Sequence, residues 1–297
     1  MRKTFWRSAI AIGLGLVMLS ACGQSGTPNA PGEDAAQAAP EYEVNESADF
    51  AESSVWKEAK DSGTLKFGVK LDQPGIGNLE PGSDAPVGFE IELAKMVSAH
   101  LGFAPEEIEW VEAAATNREA FLQQGTVDLI AASYTINDER KKVVDFAGPY
   151  YIAGQDLLVQ EDSDIRGTSD LKGKKACATI GSVPAQRIEK DFPETELVTY
   201  DSVSKCLTDL QSGAVDAVTN DDLILRGFAG EGSGLRLVGE PFSEEPLGIG
   251  VKKGDEVLRD AVNDALEDAK ESGAWQQAFE HAFGSTDGAE APEIDRY

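Results

Sequence analysis

An α/β architecture of two lobes is predicted for this 297-residue chain, and three observations carry the prediction. Short apolar runs alternate with segments of helical period, the pattern of parallel sheets joined by right-handed crossovers. The alternation starts afresh after Tyr151. One pattern, LQxGxVD, occurs at 122–128 and again 88 residues later at 210–216. It reads each time as a helix end, a glycine cap and a buried strand.

In order, a short helix containing Trp56 is expected over 53–63, then a strand over 65–70 and a Gly- and Pro-rich loop to Pro86. Residues 90–101 place Ile91, Leu93, Ala94 and Val97 at helical spacing. A strand at 108–111, a helix at 116–124 and a strand at 127–132 follow. A short charged helix comes next, capped by Thr135 or Asn137 and carrying Arg140. The second series has strands at 156–159, 174–180, 196–200, 215–219 and 235–238. Its helices start at Pro184, Ser202 and Asp221. An extended run at 246–251 and amphipathic helices at 255–271 and 273–283 close the fold, and 285–297 reads as a flexible tail.

The N-terminus sets the compartment. Arg2, Lys3 and Arg7 precede an apolar stretch and Leu19-Ser20-Ala21-Cys22, so 1–22 reads as a secretory signal peptide, too short for a stable membrane span. Leu-Ser-Ala-Cys resembles a lipoprotein box, which would make Cys22 the acylated residue and the anchor to the outer face of the cell membrane. Residues 23–52 begin with Gly, Ala, Pro, Ser, Gln and Glu and read as a disordered tether. The chain holds 53 acidic and 26 basic residues, and −30 remains once the signal is removed. Nucleic-acid binding needs a basic footprint, so that class is excluded. Cys177 and Cys206 remain, and in an oxidising exterior they predict a disulfide, with two buried thiols as the alternative. The two histidines, His100 and His281, offer no zinc spacing and little for a triad. Neither metal nor cofactor is expected, no catalytic residue is assigned, and a monomer is the default.

The offset of 88 that aligns the two motifs also aligns Ser133 with Asp221. Both lie just past the carboxyl end of equivalent strands, where open α/β sheets bind ligands. Around Ser133, Thr135 and Arg140 suit a carboxylate, the arginine by a bidentate contact. In the second lobe, residues 179–184 (TIGSVP) place Thr179, Ser182 and Val183 at a helix start with Pro184 in its first turn. Arg118 begins another helix able to point at the same cleft.

Residues 133–150 read SxTIxxERKxxxDFxxPY, and this resembles the signature segment of the polar amino-acid-binding proteins of ABC importers. The resemblance runs from about Leu65 to Phe283. It implies a periplasmic-binding-protein, or Venus-flytrap, fold with hinge crossovers near 151–155 and 243–247. Lobe 1 would then comprise 53–152 and 246–284, and lobe 2 would comprise 153–245. It further implies that Asp221 meets the ligand ammonium and that Lys70, ending the first strand, reads a γ-carboxylate, with Arg118 as a second candidate. The run LKFGVKLDQPGIGNLE at 65–80 resembles actinobacterial glutamate-binding lipoproteins. The implied ligand is glutamate, with aspartate second and glutamine third, delivered to a permease with its ATPase. The family often stacks an aromatic residue on the ligand from the loop after strand one, yet 71–86 contains none. Two other classes stay open: a dehydratase of cyclic carboxylic acids on the same fold, and an extracellular amino-acid sensor.

Overall fold

Residues 40–230, 232–285 and 288–297 are described. The expected signal peptide, Cys22 and residues 23–39 of the expected tether lie outside them. In the computed structural model the first lobe opens with α1 (Ser54–Ser62), where the Ser53 hydroxyl accepts the Trp56 N–H and left-handed Gly63 ends the helix. It continues with β1 (Leu65–Val69), a hairpin of β2 (Asp72–Gln73) and β3 (Gly77–Asn78), and α2 (Phe89–His100). Then come β4 (Ile108–Glu112), α3 (Arg118–Gln124), β5 (Leu129–Ala131), α4 (Asp138–Lys141) and β6 (Val144–Ala153). The second lobe holds β7 (Gln155–Gln160), β8 (Lys175–Thr179), α5 (Val183–Asp191), β9 (Glu196–Tyr200) and α6 (Val203–Ser212). It ends with β10 (Ala217–Asp221), α7 (Asp222–Arg226) and β11 (Leu235–Leu237). The chain returns to the first lobe through β12 (Glu245–Lys252), α8 (Glu256–Ser272) and α9 (Ala274–Phe283).

Among the described residues the strands form two five-stranded sheets, ordered β4-β1-β5-β12-β6 and β11-β7-β10-β8-β9. The sequence predicts mainly parallel sheets; each is instead evenly mixed, with two parallel and two antiparallel pairings. Crossover units supply the parallel strands. In the first sheet the antiparallel pairings come from the crossing: β6 leaves for the second lobe and β12 comes back, so the two run in opposite directions side by side. Gly154 separates β6 from β7, its N–H donating to Asp222 and its carbonyl accepting the Asp222 N–H.

The repeated motif does the same structural work in both lobes. Gly125 and Gly213 end α3 and α6 in the left-handed conformation, at φ 68° and 75°. The motif's aspartates then clip the start of a neighbouring strand: Asp128 accepts the Lys66 N–H at 2.8 Å and Asp216 the Lys175 N–H at 2.7 Å. A disulfide joins Cys177 in β8 to Cys206 in α6. Closing a loop between residues 29 apart contributes roughly 3–4 kcal/mol on the chain-entropy model. Beneath the first sheet Phe89, Trp275 and Phe279 pack with ring centroids 5.1–5.3 Å apart, and the Trp275 indole N–H holds the Tyr150 carbonyl.

Both polar ends differ from expectation. Residues 40–52 of the expected tether pack on the first lobe: Tyr42 donates to Glu92, the Asn45 N–H to the Ala99 carbonyl, and Phe50 meets Trp56 edge-on. Residues 288–297 of the expected flexible tail are also held. The Phe146 N–H donates to the Tyr297 hydroxyl, the Tyr297 ring lies under Lys141 and Arg259, and Arg296 pairs with Asp264 and Glu267. A few aromatic anchors and one arginine outweigh the polar average of each segment.

Candidate ligand site between the lobes

The lobes meet closely. Ser204 in α6 donates to the Asp72 carbonyl at 3.2 Å, and a Cβ on Gly227 would lie 2.0 Å from the Pro74 carbonyl oxygen, so the approach requires glycine there. A cavity between them encloses about 420 Å³ of space between atoms, its mouth included. All nine residues expected at the ligand line it: Lys70, Arg118, Ser133, Thr135 and Arg140 from the first lobe, and Thr179, Ser182, Val183 and Asp221 from the second.

The first lobe supplies the cations. Asn137 caps α4 by accepting the Arg140 N–H at 2.9 Å, which fixes the turn carrying the arginine. The Arg140 guanidinium donates to the Thr135 carbonyl at 2.8 Å and lies 3.3 Å from Glu119. Arg118 donates to the carbonyls of Ala113 and Ser133. Both guanidiniums lie over the Tyr134 ring, at 5.3 Å for Arg118 and 4.8 Å for Arg140. Burial lowers the Arg118 pKa and the neighbouring Arg140 charge adds to that. Lys70 is 3% exposed and lies 3.1 Å from Asp72 and 3.4 Å from Glu112. The loop holding these groups is braced by the return strand: Thr135 bridges Leu247, and the Gly248 N–H donates to the Tyr134 carbonyl.

The second lobe supplies the acid. Asp221 ends β10, is 2% exposed, and its Oδ1 has no hydrogen-bond partner. Burial pushes its carboxyl up to about 8, helped by Glu245 and Asp222 and opposed by Arg118. Such an oxygen invites a donor. Beside it, the Ser182 hydroxyl caps α5 by accepting the Ala185 N–H at 3.1 Å, leaving the first turn of that helix at the cavity wall.

Sequence reasoning missed several neighbours. Gln73 lines the cavity from the β2–β3 hairpin, and Pro74-Gly75 is the turn signal that could have revealed it. Asn220, one residue before Asp221, also lines it. The apolar wall is Ala115, Val183, Pro184, Val203 and Ile224, with no aromatic ring among the lining residues.

A cavity walled by both lobes, cationic on one side and acidic on the other, is what a small zwitterion requires. Residues 65–285 match the family described as bacterial extracellular solute-binding proteins, family 3. The chain belongs to this family. Within it, the chain is similar to the ABC transporter glutamine-binding protein GlnH of Bacillus subtilis (34% identity, 89% of this chain, 90% of that protein). It is also similar to the glutamate-binding protein GluB of Corynebacterium glutamicum (39% identity, 69% of this chain, 73% of that protein). Among solved structures of the family's fold, an ancestral arginine-binding protein bound to glutamine superposes with a TM-score of 0.70. It is 36% identical and covers 75% of this chain and 99% of its own. As a family 3 solute-binding protein the chain is extracytoplasmic, and no helix among its described residues is long and apolar enough to cross a membrane.

Proposed function

We propose that this protein is the substrate-binding lipoprotein of an ABC importer, tethered through Cys22 after removal of residues 1–21, and that it captures glutamate. Aspartate and glutamine are the second and third ligands. The observation that carries the reading is the make-up of the cavity wall: Lys70, Arg118 and Arg140 face Asp221, whose buried Oδ1 is unpartnered. Glutamate brings two carboxylates and one ammonium, the complement of that set. Arg140 takes the α-carboxylate with Ser133, Thr135 and the start of α5, while Asp221 takes the ammonium. Lys70, with Arg118 nearby, meets the γ-carboxylate. The names of GluB and GlnH support this ligand class.

Ligand bridging the lobes stabilises their closure about Gly154 and the 238–244 return, and the closed form is presented to a permease with its ATPase. The protein acts as a monomer. The test is thermal unfolding of residues 40–297, first unfolded and refolded to strip bound ligand, against each common amino acid. A ligand at 100 times its Kd adds about 2.7 kcal/mol, an easily read shift. The largest shift is expected with glutamate. A larger shift with a neutral amino acid would discard the Lys70 role, and no shift with any amino acid would overturn the reading.

A further inference from the structure

One layer behind the cavity wall lies an acid that neither lines it nor reaches solvent. Glu90, in the first turn of α2, is 0% exposed. Its Oε1 accepts the Ser133 N–H at 2.7 Å and the Tyr150 hydroxyl, and stands 3.2 Å from Ser133 Oγ. Ser133 has φ 48°, the one non-glycine residue at positive φ among the described residues. A left-handed backbone is unfavourable for any residue with a Cβ, so something must hold it. The holding groups are opposite charges at the two ends of one residue. Glu90 takes the Ser133 N–H, and Arg118 donates to the Ser133 carbonyl at 3.3 Å.

We propose that Glu90 is a positioning residue of the ligand site: it clamps Ser133 in the left-handed conformation that sets the Ser133–Thr135 wall and keeps Arg118 in register on the Ser133 carbonyl. The inference rests on the reading of the cavity as an amino-acid site. The contacts to Ser133 and Tyr150 all fall on Oε1, so an amide that keeps this acceptor oxygen is a close mimic of the carboxyl.

The test is a double-mutant cycle read by titration calorimetry with glutamate and with glutamine. Glu90→Ala is expected to weaken binding about tenfold, and Glu90→Gln, which keeps an acceptor oxygen in place, by no more than about threefold. Glycine adopts positive φ without a clamp, so in a Ser133→Gly background the Glu90→Ala loss is expected to shrink to about threefold or less. Equal losses in both backgrounds would overturn the proposal. Should Glu90→Ala not fold, Glu90→Asp withdraws the carboxylate by one methylene and enters the same cycle. If the unaltered protein binds neither amino acid, the amino-acid reading fails separately. The ligand-free crystal structure of the Glu90 variant then decides the clamp: Ser133 leaving positive φ supports it, and Ser133 remaining near 48° sinks it.

Discussion

The two lobes share the LQxGxVD device down to the strand clip made by its aspartate, and differ in what they place after the strand. In the first lobe the charges at the cavity are already spent on the protein: Arg140 on the Thr135 carbonyl and Glu119, Arg118 on two carbonyls, Lys70 on Asp72 and Glu112. In the second lobe Asp221 keeps a buried oxygen without a hydrogen-bond partner. Each cation of the first wall has a protein partner before ligand arrives, while the acid facing them keeps an oxygen without one. A preorganised cationic wall saves ordering cost on binding, while the unsatisfied acid gives ligand the most to improve.

The largest effect should come from the unfinished half. Asp221→Asn keeps the side-chain shape but cannot ionise against a bound ammonium, so affinity for glutamate should fall on the order of 100-fold or more. The ligand-free melting midpoint near pH 7 should hold, because the Asp221 carboxyl is already protonated there and the amide replaces one neutral group with another. Melts with and without glutamate read both quantities. A drop in the ligand-free midpoint would mean that Asp221 is structural and that the contrast between lobes is misdrawn.

Arg140→Met tests the finished half, where affinity and stability should fall together. Losing a charge-assisted contact costs about 1.5–3 kcal/mol, or roughly 10- to 150-fold in Kd. Ligand-free stability should also decline, since Glu119 and the Thr135 carbonyl both lose a partner. Unchanged affinity in this variant would move the α-carboxylate to Arg118.

These contrasts were only partly legible in the residue order. Glycine caps, strand-end positions and the motif offset placed Ser133 and Asp221 opposite one another, because local backbone chemistry dictates them. Glu90 was not legible. Its helix reads as amphipathic, yet Glu90 and Glu92 are both buried. Part of the reason is that residues 40–52 cover α2, and their few anchors, Tyr42 and Phe50 among them, are diluted in a polar stretch. The antiparallel strands escaped for a related reason. A crossing between lobes is a long-range event, and β6 and β12 carry no local mark of which way their neighbour runs.

The pH response should separate the halves again. The folded protein keeps the Asp221 proton up to about 8 against an ordinary 3.8, so it holds a proton that the unfolded chain loses in between. The Asp221 contribution to ligand-free stability is therefore greatest below that window and declines as pH rises through it. Burial first, then Glu245, Asp222 and Glu90, push the Asp221 carboxyl up, and Arg118 pulls it down. A bound ammonium pulls with Arg118, so binding releases the proton, and glutamate affinity should climb between pH 5 and pH 8 by up to about tenfold per unit. Calorimetry in two buffers of different ionisation heat counts the proton directly. Persistence of the climb in Asp221→Asn would assign it to another group.

Lys70 should give the smallest effect, because its charge is the most fully drawn on. Two carboxylates lie within 3.4 Å of its ammonium, and a ligand γ-carboxylate would be a third. Its preference for carboxylate over amide is correspondingly weak. Lys70→Gln should shift the ratio of glutamate to glutamine affinity towards glutamine by only about three- to tenfold, measured by parallel titrations. A shift of a hundredfold would mean that ligand displaces Asp72 and Glu112 and that the first lobe rearranges on binding after all. An unchanged ratio would leave Arg118 as the reader of the ligand side chain, and a residue spent on two carbonyls would then carry the specificity.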